Sequence, residues 1–392
     1  MAYCSEIEPL LPEDRDHSLE ELAFDLVSSS SSLAGQLHPT VRVAIGDVVR
    51  SMNCYYSNLI EGHNTMPRDI ERALANDYSS EPKKRNLQME AVAHIEVQQK
   101  IDSEADELAE PVSAAYICWL HREFCSRLPD ELLWVENPDT GERVRVVPGE
   151  IRTRTVKVGQ HVPPCGEELA ACLKRIEEAY TAPLSKSRKV VAVAAAHHRL
   201  LWIHPFLDGN GRVARLMAHA MFRRLGIGSS LWSISRGLAR NAAEYKALLM
   251  AADRPRENDY DGRGNLSERA LFDFCRFFLR TSIDQVRFMQ SLLDPGNLLR
   301  RMELYSRDEL EAGRLPKGSY PILREAALQG SVERGAVPAL LHLGERAARN
   351  VTAELIGKKL LISESSRAPL RLGLPTEAVE RWFPLLYPTI GA

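Results

Sequence analysis

The segment HPFLDGNGRVAR, residues 204 to 215, follows an apolar run, VAVAAAHHRLLWI (191 to 203), and opens a second periodic stretch, NGRVARLMAHAMFRRL (210 to 225). The apolar run predicts a buried helix, and His204-Pro205 ends it because the residue before proline avoids the α region. Gly209 and Gly211 allow backbone angles and close approaches denied to other residues. A helix starting at Asn210 turns its free amide donors and positive dipole end toward the loop, a place suited to phosphate oxygens. Arg212 and Arg215, three apart, reach the same side of that helix. A guanidinium fork can take two phosphate oxygens together. Asp208 beside a polyphosphate suits Mg2+, which takes one or two carboxylates plus phosphate oxygens. His204, with a reference pKa near ~6.5, can accept a proton from an attacking hydroxyl at neutral pH. This combination predicts phosphoryl or nucleotidyl transfer. No Walker A loop is present, and the segment lacks the third glycine and the preceding strand of a dinucleotide fingerprint.

At every defined position the segment resembles the H-P-F-x-[DE]-G-N-G-R-x-x-R motif of the Fic (Fido) family. The resemblance implies a mostly helical enzyme that transfers AMP from ATP to a Ser, Thr or Tyr hydroxyl of a target protein, or of itself. His204 is then the general base and Asp208 the Mg2+ ligand. Gly209, Asn210, Gly211 and Arg212 cradle the α and β phosphates, Val213 and Ala214 belong to the same nucleotide-binding turn, and Arg215 meets the γ phosphate.

Upstream, SNLIEG (Ser57 to Gly62) resembles the [ST]-x-x-x-E-[GN] inhibitory motif carried by some members of that family. Ser57 and Glu61 stand one helical turn apart and Gly62 ends the helix. A glutamate in a last turn opposes the helix dipole, at a cost of roughly 0.3–1 kcal/mol, and an arginine partner would offset it. The resemblance implies that this partner is Arg215, so that Glu61 withholds the γ-phosphate clamp. TVKVGQHVPP (155 to 164) resembles the family's flap, which aligns a target segment by strand addition, and Val158, Gly159, Gln160 and His161 then line the nucleotide. NAAEYKALLMAAD (241 to 253) resembles the segment closing over adenine, with Tyr245 as the capping aromatic. Lys246 and Asp253 stand where many members have a second aromatic and an asparagine. His197-His198 in the apolar helix read as core or supporting residues, HREFC (121 to 125) lacks the second histidine of a zinc helix, and His63 has no evident partner.

The fold expected is mainly α: a helical core of the Fic type with a β-hairpin flap, followed by a winged helix-turn-helix domain. The boundaries read as an N-terminal region 1–110, a core 111–292, a linker 293–316 and a winged helix 317–392. The lead-in through SSSSS (28 to 32) reads as mobile or loosely docked, and RVRVVPGEIRTRTVKVGQHVPP (143 to 164) as a hairpin or extended flap. After 317 come three helical stretches and an alternating segment, LISESSRAPLRLGL (361 to 374), the winged layout. This tail carries ten basic residues against seven glutamates, a net +3 on a chain of net −3, with Arg346, Arg349 and Asn350 at the start of its third helix. DNA is therefore one expected partner, and a docking or homodimer surface another.

Overall composition agrees with a globular chain: 392 residues, 44% hydrophobic and 26% charged. Net −3 gives no global attraction to nucleic acid or membrane. Seven scattered cysteines without a C-x-x-C pair indicate neither a disulfide framework nor a zinc site. The acidic start lacks an apolar signal region, no apolar run is long enough to cross a membrane, and the expected location is cytoplasmic. The rival expectations are a DNA-binding regulator using the core as a nucleotide sensor, and a hydrolase that removes AMP. An intact His204 favours transfer, because a sensor needs no base.

Overall fold

The structure, a computed structural model, describes residues 5–104, 109–137, 140–227 and 230–387. Met1 to Cys4 and the last two residues of the helix expected over 83–106 lie outside these. The chain groups into two compact units: Met1–Ser30, Asn53–Ser229 and Ser233–Gln285 in the first, and Ser31–Met52, Ser230–Trp232 and Val286–Ala392 in the second.

Sixteen helices are described: α1 (Ser18–Gly35), α2 (Pro39–Ile60), α3 (Pro67–Leu74), α4 (Pro82–Glu104), α5 (Ala114–Cys125), α6 (Leu169–Thr181), α7 (Lys186–Ile203), α8 (Asn210–Arg224), α9 (Ser235–Arg240), α10 (Ala242–Ala252), α11 (Glu268–Leu293), α12 (Pro295–Glu311), α13 (Ser319–Gln329), α14 (Val337–Leu341), α15 (Glu345–Gly357) and α16 (Thr376–Trp382). Two short antiparallel ladders join them, β1 (Trp134–Glu136) with β2 (Arg143–Arg145), and β3 (Leu361–Ile362) with β4 (Arg371–Leu372). The fold is thus mainly helical, as expected. No described helix is long and apolar enough to cross a membrane.

The first unit is built around α7. A helix apolar on every face belongs in a core, and α7 is buried from Val190 through Leu200, with Ser185 capping its start by accepting from the Arg188 amide at 3.2 Å. Around it pack α8 and α6, and α4 and α5 complete the bed of α8. Three polar residues of α7 are buried, each with partners. His197 meets the Ala214 carbonyl at 3.2 Å and the Tyr245 hydroxyl at 2.8 Å. His198 meets the Leu249 carbonyl at 3.1 Å and Asp253 at 3.2 Å. Arg199 donates to the Pro9 carbonyl from Nε and Nη2, at 3.0 and 2.7 Å.

That last contact decides between the two readings of the lead-in, mobile or loosely docked. The lead-in is docked: Ile7 and Leu10 are buried, Arg199 holds Pro9, and the Tyr180 hydroxyl donates to the Leu10 carbonyl at 2.8 Å. The serine run is helical, within α1. Leu19, Ala23 and Leu26 recur at helical spacing and are fully buried, and Ser30 continues that stripe, its hydroxyl donating to the Ile227 carbonyl. Apolar burial along one face outweighs the middling helix propensity of serine. Cys172 on α6 is disulfide-bonded, while Cys54, Cys118, Cys125, Cys165 and Cys275 are free.

The hairpin also falls elsewhere than read. Its first strand is Trp134–Glu136, upstream of the expected stretch, with Trp134 opposite Arg145 and Glu136 opposite Arg143. Residues 146–164 contain no ladder, only a bridge closing Val158 on His161. Pro148, Pro163 and Pro164 remove ladder donors from a stretch whose valines otherwise favour strand. In the second unit the stretch read as a linker, 293–316, contains the 17-residue helix α12, which packs on α13 and α16. Asp294 caps it by accepting from the Asn297 amide at 2.9 Å, and Pro295 sits where a first-turn proline is tolerated. Beyond it, α13, α14 and α15 precede the β3–β4 ladder and α16 follows.

Candidate active site

The loop between α7 and α8 is shaped by its own side chains. Helix α7 stops at Ile203, and His204 takes the left-handed conformation, φ 50° and ψ 62°, before Pro205. A non-glycine residue held there costs free energy that tertiary contacts must supply, a condition frequent at functional sites. Asn210 clamps the loop, accepting from the Phe206 amide at 3.0 Å and donating to the Phe206 carbonyl at 2.8 Å. Gly209, at φ +80°, provides the helix start. The ring of His121, from α5, stacks on Phe206 with centroids 3.9 Å apart and planes within 3°. His121 Nδ1 accepts from the Gly149 amide at 2.8 Å, tying the loop to the chain leading into the flap.

A second support is Arg152, 4% exposed. Its guanidinium donates to the carbonyls of His204 at 2.7 Å, Pro164 at 2.8 Å, Arg154 at 2.7 Å and Ile203 at 3.2 Å, and its amide donates to Pro205. One side chain thus locks both ends of the flap segment to the motif loop. The flap's tip is a tight turn in which Val158 and His161 exchange amide bonds of 2.9 and 3.0 Å around Gly159 (φ +61°) and Gln160. His161 Nε2 meets the Trp202 carbonyl at 2.8 Å. Val158 and Val162 remain 41% and 61% exposed.

His204 is half-buried. Burial lowers its pKa to about 4, partly opposed by a hydrogen bond from the ring to the Leu201 carbonyl. That bond makes one ring nitrogen the donor and leaves the other, unprotonated at neutral pH, as an acceptor. Asp208 accepts from the Gly209 amide at 2.6 Å and its side chain is 54% exposed at the loop's mouth. The surrounding protein, and after it the charge of Glu61, raises its carboxyl above the usual range.

Helix α8 presents Arg212 and Arg215 as expected from spacing, and both are buried. Arg215 Nε donates to Ser57 Oγ at 2.9 Å, and its Nη2 donates to the Ser57 carbonyl at 3.0 Å and to Glu61 Oε1 at 2.5 Å. The same carboxylate oxygen lies against Gly211, in the space a Cβ there would need. The Glu61 carboxylate therefore lies in the first turn of α8, among free amides and two guanidiniums, the place read from sequence as a phosphate nest. Burial alone would raise the pKa of Glu61, but Arg215 and then Arg212 outweigh it and the net shift is downward. Gly62, at φ +86°, ends α2, and the His63 amide closes the cap on the Asn58 carbonyl at 2.9 Å.

Two residues that sequence reasoning missed meet Arg212. Glu90 on α4, fully buried, takes Arg212 Nη1 through Oε1, and its Oε2 accepts from His63 Nδ1 at 2.7 Å. Arg212 also lies over the Phe124 ring at 5.1 Å, and burial lowers its pKa to about 10. No motif flagged Glu90; its signal was only an acid set between Met89 and the apolar run Ala91-Val92-Ala93. Tyr245 is where the structure departs from the reading of the site. It is 2% exposed, its ring lies in the core beside Phe274, and its hydroxyl is held by His197. It offers no free face for stacking, because a tyrosine at helical spacing buried its ring against α7 and α11. Val213 and Ala214 are likewise wholly buried, so that turn offers its backbone and arginines only. Among the described residues no group of three metal-ligating side chains occurs. Asp208 alone thus fits a cation that brings most of its own oxygen ligands.

A sequence model of the Fic/DOC family matches residues 111–222. The chain is 30% identical over 177 residues to a protein adenylyltransferase Fic of Nematostella vectensis, covering 44% of this chain and 37% of that one. It is 44% identical over 79 residues to a protein adenylyltransferase Fic of Drosophila willistoni, covering 20% and 16%. The chain thus spans well under half the length of these curated relatives. In fold it is similar to a Fic family protein from Desulfovibrio desulfuricans G20, with a TM-score of 0.51 at 16% identity over 90% of this chain and 96% of that one. It is also similar to a Fic domain containing signaling protein from Bacteroides thetaiotaomicron, with a TM-score of 0.50 at 20% identity over 68% and 95%.

Proposed function

We propose that the protein, whose residues 111–222 match the model of the Fic/DOC family, is a self-inhibited adenylyltransferase acting on a Ser, Thr or Tyr hydroxyl of a protein. The target hydroxyl attacks the α phosphorus of ATP, the bond to the bridging oxygen breaks, and diphosphate leaves. His204 accepts the hydroxyl proton on its free ring nitrogen. The amides of Gly209 to Arg212 and the guanidiniums of Arg212 and Arg215 bind the phosphates, and the amides and Arg215 take up charge as the oxygens become more negative. Asp208 would hold Mg2+, which when bound neutralises phosphate charge. The exposed valines of the flap, Val158 and Val162, suit an extended target segment laid alongside.

The observation that carries this reading is the position of Glu61. A carboxylate paired with Arg215 and set against Gly211 stands where an anionic ligand belongs. A γ phosphate and Glu61 compete for the same guanidinium, so the resting chain holds ATP without the clamp that aligns it. Names of relatives and the complete motif support the chemistry. In the second unit, three helices and a ladder suit a winged helix, and Arg346, Arg349 and Asn350 are exposed on α15. Partner acids stand beside two cations of this surface, Glu345 at Arg349 and Glu364 at Arg371. This weakens a phosphate-neutralising DNA reading and leaves the transfer reading preferred.

With labelled ATP and Mg2+, Glu61→Gly is expected to raise protein labelling on the order of tenfold or more, the scale of one charge-assisted contact. Labelling no higher than that of the unaltered chain would overturn the inhibitory role.

A further inference from the structure

An arginine and a buried carboxylate ordinarily meet fork to fork, with both oxygens on both nitrogens. Arg212 and Glu90 do not. Glu90 Oε1 takes Arg212 Nη1, while its Oε2 is occupied by His63 Nδ1 at 2.7 Å. Since a carboxylate cannot donate, His63 carries the proton on Nδ1. Arg212 is 5% exposed, yet its Nε has no partner and its Nη2 has only Asp208, at a long 3.5 Å from either oxygen. A buried guanidinium whose Nε is unpaired and whose Nη2 is held only at long range is costly unless something else takes up its donors. Nη2 lies on the Asp208 side, where the loop opens into α8.

We propose that His63 and Glu90 are positioning residues for Arg212: His63 occupies the far oxygen of Glu90, so that Glu90 steadies Arg212 through Nη1 and leaves Nη2, on the Asp208 side, for nucleotide phosphate. The inference rests on the adenylyl-transfer reading and adds to it a pair of residues outside the motif. Without the His63 bond, the freed oxygen of Glu90 draws Arg212 into the two-pronged pairing and away from the phosphate. The loss is then one of ground-state and transition-state binding alike, which raises KM and spares kcat.

The test uses the full chain with the inhibitory glutamate removed, comparing Glu61→Gly with Glu61→Gly/His63→Leu and Glu61→Gly/His63→Asn in labelling rate against ATP concentration at fixed Mg2+. For His63→Leu, KM for ATP is expected to rise about tenfold with kcat within about twofold, the scale of one hydrogen bond to a charged group. His63→Asn, whose amide can reach the same oxygen, is expected to restore KM to within about threefold. Glu90→Gln keeps the side chain's shape, moves KM in the same direction and supplies the reading should His63→Leu not fold, as judged by its melting transition. Labelling by Glu61→Gly with KM unmoved by His63→Leu or Glu90→Gln overturns this inference alone, as does a fall in kcat with KM constant. Absence of labelling by Glu61→Gly itself counts against adenylyl transfer, and the inference falls with it.

Discussion

His204 combines three constraints in one residue. Its backbone is left-handed, one nitrogen is tied to Leu201, and burial holds its pKa at about 4. The imidazole is therefore neutral throughout the physiological range, the protonation state a base requires. A pKa so far below neutral makes the ring a weak proton acceptor in the free protein, and under the proposed reaction a bound polyanion would raise it toward the useful range. His204→Ala in the Glu61→Gly chain is expected to reduce labelling by about 100-fold or more, the usual worth of a positioned base. ATP binding measured by calorimetry should stay within about threefold, because the phosphate contacts belong to other groups. Undiminished labelling would exclude His204 as the base.

At the scale of elements, the flap segment and the motif loop are joined by a side chain rather than by strand pairing. Arg152 spends its donors on four carbonyls drawn from both. Arg152→Met fills similar volume but leaves those carbonyls without a donor, a loss of about 2–4 kcal/mol. The urea midpoint should fall accordingly. If the flap aligns the target, labelling of a protein substrate should fall further than ATP binding. An unchanged urea midpoint would show that water replaces the guanidinium.

Across the whole molecule, buried histidines set the response to acid. Burial holds His94 and His197 at about 3 and His121 and His204 at about 4. In the unfolded chain each titrates near ~6.5. Between those values the unfolded state binds more protons, so stability is lost as pH falls from about 6.5 toward 4. Each contributes on the order of 1–2 kcal/mol of loss by pH 5. Glu61 and Glu123, whose pKa values are lowered, protonate only below the ordinary carboxylate range, so histidine dominates this window. Denaturation at pH 7.5 and pH 5 should show a marked drop in the urea midpoint. Replacing His94, whose ring nitrogens are both without partners, by Leu or Phe should lessen that drop.

What the sequence determined by itself is local. The apolar run of α7, the proline and glycines after it and the arginines three apart on α8 set the helices, the loop between them and the side on which the arginines stand, because period and turn chemistry act within a few residues. The S-x-x-x-E-G spacing likewise placed Ser57 and Glu61 on one helical face. Tertiary structure alone decided which distant groups meet. Glu90 reaches Arg212 across 122 positions of sequence and Arg152 reaches His204 across 52. Tyr245 turned inward, β1 supplied the strand for β2, and the lead-in docked through Pro9 and Leu10 against α7 and α6. Each of these outcomes depends on which buried polar group needs a partner and which apolar face needs cover, and those needs arise only once the helices are packed.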